Sequence, residues 1–176
     1  MVMQYAQNGD LTNYLTNNNS NITWERRLEI LYGVATGLSQ IHEKNLIHCN
    51  LHSGNVLINA YMTLIGDLGI CPPNKEKLLD SKYGVLPYVA PELLLQNNSY
   101  MTAVDVYSFG SIMWELATGQ KPFIDRLNDN KLSNDICNGL RPEINDNIHN
   151  IPECYSKLIQ RCWNHDPLNR PSIDEL

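Results

Sequence analysis

A chain of 176 residues, 43% of them hydrophobic and 18% charged, can bury roughly 70% of the surface its unfolded form exposes, which describes a globular domain and not a disordered or fibrous one. The formal net charge of -6 argues against a general nucleic-acid binder, because such proteins need a basic face to displace counterions from phosphate. Cys49, Cys71, Cys137, Cys154 and Cys162 form an odd set without a CxxC pair, so neither a disulfide framework nor a zinc knuckle is expected, and reduced thiols in a cytoplasmic setting fit the pattern.

The opening MVMQYAQNGD has too short an apolar part and no basic flank for a signal peptide, and no apolar run reaches membrane-spanning length. A short helix is expected around Leu11 to Leu15, followed by a loop at the asparagine-rich patch Asn17 to Asn21, whose side chains compete for backbone hydrogen bonds. Thr23 is a fitting N-cap for a second helix with Leu28, Leu31, Ala35, Leu38 and Ile41 at helical spacing, and Asn45 a fitting stop. Two β-type runs, Val56 to Ile58 and Thr63 to Ile65, predict a hairpin, entered by HCNLHSGN and left by GDLG.

From Cys71 to Pro91 the sequence is irregular. A strong helix is expected from Ala103 to Thr118, ended by Gly119, with Val106, Phe109, Met113 and Leu116 along one stripe. Another starts at Pro152, a favoured first-turn residue, and carries Leu158, Ile159, Cys162 and Trp163. The fold class read from these elements is mainly α with a small β-hairpin.

The order of motifs is more specific than any one of them. His48-Cys49-Asn50-Leu51 with Asn55 four residues on, then Asp67-Leu68-Gly69, then Ala90-Pro91-Glu92, follow the kinase series H-R-D-L-x-x-x-N, D-F-G, A-P-E. With Gln4-Tyr5-Ala6, Asp105 to Gly110 and Arg170-Pro171, the chain resembles the C-terminal lobe of a eukaryotic protein kinase, of the tyrosine-kinase-like type, over essentially all of residues 1–176. The resemblance implies a kinase-like α+β C-lobe with its hinge and no N-lobe, and transfer of phosphoryl from Mg-ATP to protein hydroxyls. It makes Asn55 and Asp67 the magnesium ligands, both hard oxygen donors. Leu57 becomes the floor beneath adenine, the backbone of Gln4 and Ala6 its edge contacts, and Met3 the guard of the pocket behind it. Glu92 and Arg170 resemble the pair that ties the activation segment to the lobe.

The departures are as informative. Asn50 stands where the family has its catalytic aspartate, and an amide has no carboxylate to accept a proton. General-base catalysis contributes about 10²–10⁴-fold, so the change should severely impair the chemical step without preventing nucleotide binding. Cys49 replaces the neighbouring arginine, which in many kinases reads a phosphorylated activation segment, so switching through that arginine is not expected and Ser81 and Tyr83 are expected to be ordinary exposed hydroxyls. His52 and Gly54 match neither the lysine of serine/threonine kinase loops nor the arginine of tyrosine kinase loops. Upper-lobe parts, the glycine-rich loop and its lysine, are not among these residues, so ATP and magnesium are expected to bind weakly in this chain alone. Met1 is compatible with a true start or with a fragment of a longer product. The competing readings are a pseudokinase that serves as a binding module for a protein partner and a fragment without independent function. A metal cluster of His48, Cys49, His52 and His42 is a much weaker reading, since no second ligand pair lies at zinc-site spacing.

Overall fold

The computed structural model describes residues 6–18, 21–60, 62–68, 85–95, 101–145 and 150–176. Helix α1 (Leu11–Asn18) starts at Asp10, whose carboxylate accepts from the Asn13 amide at 2.9 Å, and it buries Leu11 and Leu15. It runs past Leu15 into the asparagine patch because Asn18 Nδ2 turns back to donate to Tyr14 O at 2.9 Å, so the side chain supports the helix instead of ending it.

Helix α2 (Trp24–His42) is capped as expected by Thr23, which accepts from the Arg26 amide. Its buried side chains are Ile30, Leu31, Val34 and Leu38, whereas Leu28 is 49% exposed. The expected stripe is therefore misplaced at its start, and glycines supply the reason. A Cβ at Gly33 would meet Thr63 Cβ at 2.7 Å and one at Gly37 would meet Ile65 Cδ1 at 2.9 Å, so part of the packing face is bare backbone. After α2 the chain turns at Asn45, which has φ 55°.

Strands β1 (Val56–Ile58) and β2 (Thr63–Ile65) pair antiparallel with Leu57 opposite Leu64, at the bounds read from the sequence. A 3₁₀ turn over Ser53–Asn55 feeds β1, and another spans Leu86–Tyr88 before the short helix α3 (Pro91–Leu94). Helix α4 (Ala103–Thr118) ends at Gly119 in the left-handed region, φ 71°, where glycine carries no Cβ penalty. All sixteen of its residues are buried, not one stripe, because α2, α6 and the Leu86–Tyr88 turn surround it. Helix α5 (Asn130–Cys137), capped by Asp129, was not legible in the sequence. Helix α6 (Glu153–Cys162) follows Pro152, which sits at the N-cap and not inside the first turn. Gly110 permits the close α4–α6 approach, since a Cβ there would lie 2.8 Å from Cys162 Cβ. The fold is mainly α with a two-stranded sheet among the described residues, as the order of elements predicts.

A buried ion pair closes the bottom of this core. Arg170 donates from Nη1 to Glu92 Oε1 at 2.6 Å and from Nη2 to Glu92 Oε2 at 2.8 Å. It also donates to Ala103 O and Asn164 O, each at 2.9 Å, and its guanidinium lies over the Tyr107 ring.

Candidate active site

The site is built from below by Asp105 on α4, which is fully buried. Its Oδ2 accepts from the His48 amide at 2.8 Å and from His42 Nε2 at 2.8 Å, while its Oδ1 accepts from the Cys49 amide at 2.8 Å. Successive backbone amides aimed at one carboxylate bend the chain sharply, and Cys49 accordingly has φ 62°. Above this anchor His48 is buried among partners, donating from Nε2 to Gly66 O at 3.0 Å and accepting at Nδ1 from the Asn50 amide at 3.3 Å.

The hairpin then brings the two halves of the site together. Asn55, just before β1, accepts at its backbone oxygen from Gly66 N at 2.7 Å, just after β2. Asn55 Nδ2 donates to Asn50 O at 2.9 Å, which fixes the amide so that Oδ1 remains as its acceptor. Asn50 Nδ2 in turn donates to Asp67 Oδ2 at 3.2 Å. Asp67 is exposed, has φ 51°, and keeps Oδ1 without a hydrogen-bond donor among the described residues. Asn50 and Asn55, on one loop, thus converge with Asp67 from beyond the hairpin. The donor set of one amide oxygen and one carboxylate oxygen fits a hard divalent cation.

Leu57 is half-buried at the centre of β1. The segment holding Ala6 lies along the same strand: Asn8 N donates to Ile58 O at 3.1 Å, Ile58 N to Gly9 O at 2.8 Å, and Asp10 bridges Leu57. Met3 and Gln4, with Met1, Val2 and Tyr5, lie outside the described residues, as do Gly69, Cys71, Ser81 and Tyr83. Cys137, Cys154 and Cys162 are free thiols, but Cys49 is disulfide-bonded, which corrects the expectation of reduced cysteines throughout. Among the described residues no three His, Cys, Asp or Glu side chains gather as a metal cluster.

His52 folds back over its own loop, accepting at Nδ1 from the Gly54 amide at 3.1 Å, and a Cβ at residue 54 would meet its Cε1 at 2.9 Å. Burial pushes its imidazole below the ordinary histidine range, His48 pushes it further down, and Asp67 and Asp10 oppose the shift. One part of the site escaped sequence reasoning. Tyr88 donates to Glu115 Oε2 at 2.6 Å, Ser53 Oγ lies 3.1 Å from Tyr88 Oη, and Thr12 Oγ1 lies 2.7 Å from Ser53 Oγ. Burial raises the Glu115 carboxyl above its usual range, although the Tyr88 and Ser53 hydrogen bonds pull it down. A glutamate inside the otherwise apolar end of α4 was the signal.

This combination, a helical lobe whose central helix clamps a loop beside a metal-fitting hairpin, defines a kinase-type lobe. A family model for protein tyrosine and serine/threonine kinases matches residues 1–176, and the chain belongs to that family. Acanthamoeba polyphaga mimivirus R831, named as a serine/threonine-protein kinase/receptor, is 32% identical over 179 residues, covering 100% of this chain and 11% of its own. The RGS domain-containing serine/threonine-protein kinase A of Dictyostelium discoideum is 31% identical over 171 residues, 97% of this chain and 15% of its own. Mouse receptor-interacting serine/threonine-protein kinase 4 is 30% identical over 188 residues, 100% of this chain and 24% of its own. The chain thus spans a small part of the curated relatives it matches.

Proposed function

We propose that residues 1–176 correspond to the hinge and C-terminal lobe of a protein kinase domain, with phosphoryl transfer from Mg-ATP to protein hydroxyls impaired. The family uses ATP and magnesium and acts on protein substrates, and the relatives' names favour serine and threonine hydroxyls. The reading rests on one observation: Asn50, Asn55 and Asp67 converge where the hairpin ends meet, with an amide at the position of the base. Asn55 Oδ1 and Asp67 are the groups that would hold magnesium, which when bound neutralises phosphate charge. Leu57 would floor the adenine, and the backbone of Gln4 and Ala6, with Met3 behind, would complete its edge. Asn50 can orient a hydroxyl through its amide but cannot take its proton, which removes about 10²–10⁴-fold of rate.

Calorimetric titration with Mg-ATP tests the site. Weak heat that Asp67→Ala abolishes is expected. Tight binding that survives Asp67→Ala overturns the placement.

A second reading, a pseudokinase that works as a binding module, is favoured by a groove of about 1270 Å³ between α2 and β2. Tyr32, Leu46 and Leu68 line it while 75%, 57% and 62% exposed, an apolar surface of the kind that takes partners. The readings part in a chain joined to a compatible upper lobe. There, Asn50→Asp restores Asp67-dependent phosphate transfer under the first reading and leaves none under the second.

A further inference from the structure

Asn50 is more than a lost base, because it has gained a donor. Resting on the reading of Asn55 and Asp67 as the cation-facing pair, we propose that Asn50 is a positioning residue that latches the Asp67 carboxylate to the catalytic loop and thereby weakens the site's hold on a divalent cation.

Four observations carry this. Asn50 Nδ2 donates to Asp67 Oδ2 at 3.2 Å, a bond that an aspartate at position 50 is unable to make, since two carboxylates at that distance repel. The backbone of Asn50 is held on both sides, by His48 Nδ1 at its amide and by Asn55 Nδ2 at its oxygen, so the side chain acts from a fixed base. Gly66, just before Asp67, is likewise fixed, with its amide on Asn55 O and its oxygen on His48 Nε2. Asp67 itself adopts φ 51°, in the left-handed region that aspartate visits more readily than most residues with a Cβ, and among the described residues its carboxylate has one hydrogen bond there, from Asn50 Nδ2. Between the anchored backbones of Asn50 and Gly66, the Asn50 amide is the tether on the Asp67 carboxylate.

Cation binding then competes with the latch. One of the two Asp67 oxygens is engaged by a neutral donor, and the site carries one negative charge from this pair where an aspartate at position 50 would bring two. Removing the latch without adding charge, by Asn50→Ala, frees the oxygen. Asn50→Asp frees it and adds the second charge. Both substitutions leave the bonds from Asp105 to the His48 and Cys49 amides untouched, since those use backbone only.

The test uses Mn²⁺ alone, followed by electron paramagnetic resonance, together with the side-chain amide resonances of Asn50 in metal-free protein. Relative to the unaltered chain, Asn50→Ala should bind Mn²⁺ about threefold tighter and Asn50→Asp about tenfold or more, with Asp67→Ala removing both gains. In metal-free protein, Asp67→Ala should shift the Asn50 Nδ2 protons. If those protons do not move, or if Asn50→Ala binds Mn²⁺ no more tightly than the unaltered chain, the latch is overturned. If they move but Mn²⁺ binding in every variant ignores Asp67→Ala, the underlying assignment of the cation site fails and takes the proposed cation effect with it.

Discussion

Arg170→Ala is the sharpest test of how this lobe holds together. Arg170 is 7% exposed and Glu92 is 7% exposed, and the two share paired hydrogen bonds at 2.6 and 2.8 Å. Removing the guanidinium leaves a buried carboxylate without its cation, a change that typically destabilises by about 3–5 kcal/mol. Ala103 O and Asn164 O lose their donors at the same time. With a urea m-value of about 2 kcal/mol/M, a loss near 4 kcal/mol moves the midpoint down by about 2 M, a large part of a typical domain's stability. The assay is equilibrium urea unfolding followed by far-ultraviolet circular dichroism. Combining Arg170→Met with Glu92→Leu should recover much of the loss, because no charge is then stranded, although the two carbonyls stay unserved. An Arg170→Ala midpoint equal to that of the unaltered chain, with a cooperative transition, would refute the reasoning.

Glu115 gives a pH dependence of definite sign. Its folded carboxyl titrates above the unfolded value, so its favourable contribution is fully present below the unfolded value and is lost as pH rises through the folded one. Urea midpoints should fall over that window, and Glu115→Gln should flatten the fall; an unaltered slope would show that Glu115 is not the group responsible. Thiol labelling should separate the cysteines: Cys154 is exposed and should react readily, whereas burial pushes the Cys162 thiol up to about 12, leaving about one part in ten thousand as thiolate at pH 8. Mass spectrometry after iodoacetamide treatment should find Cys162 modified only in urea, and rapid native labelling there would contradict its burial between α4 and α6.

Residues whose structure is set locally were legible in advance. The two strands were bounded by their β-branched and apolar runs, and α4 was stopped by a glycine that does adopt the left-handed conformation. Features that depend on neighbours were less so. Helix α5 buries only Leu132 and Ile136 among polar residues, too few for a period to stand out. The inner face of α2 uses Gly33 and Gly37 against β2, and a hydrophobic pattern is blind to a face made of backbone. In the site, motif order alone pointed to Asn50, Asn55 and Asp67 as neighbours. The Thr12–Ser53–Tyr88–Glu115 chain was not legible, since it draws one hydroxyl or carboxyl from each of four separate elements, and no spacing links them.

The same geometry explains how the loop keeps its shape with asparagine and cysteine where the kinase pattern has aspartate and arginine. Asp105 holds the loop through the backbone amides of His48 and Cys49, and His48 ties it to Gly66 through a ring and a carbonyl. None of these bonds uses the side chain of residue 49 or 50. These anchors therefore leave the choice of group at position 50 open, whereas Cys49 is buried and disulfide-bonded; kinase chemistry asks for a carboxylate at 50 to take a proton and a cation at 49 to read a phosphate. Where that chemistry is not required, an amide at 50 relieves the repulsion between two carboxylates and adds a hydrogen bond to Asp67, so the substitution is favourable to the resting fold. Preservation of the loop follows from one feature, an anchor that grips the main chain.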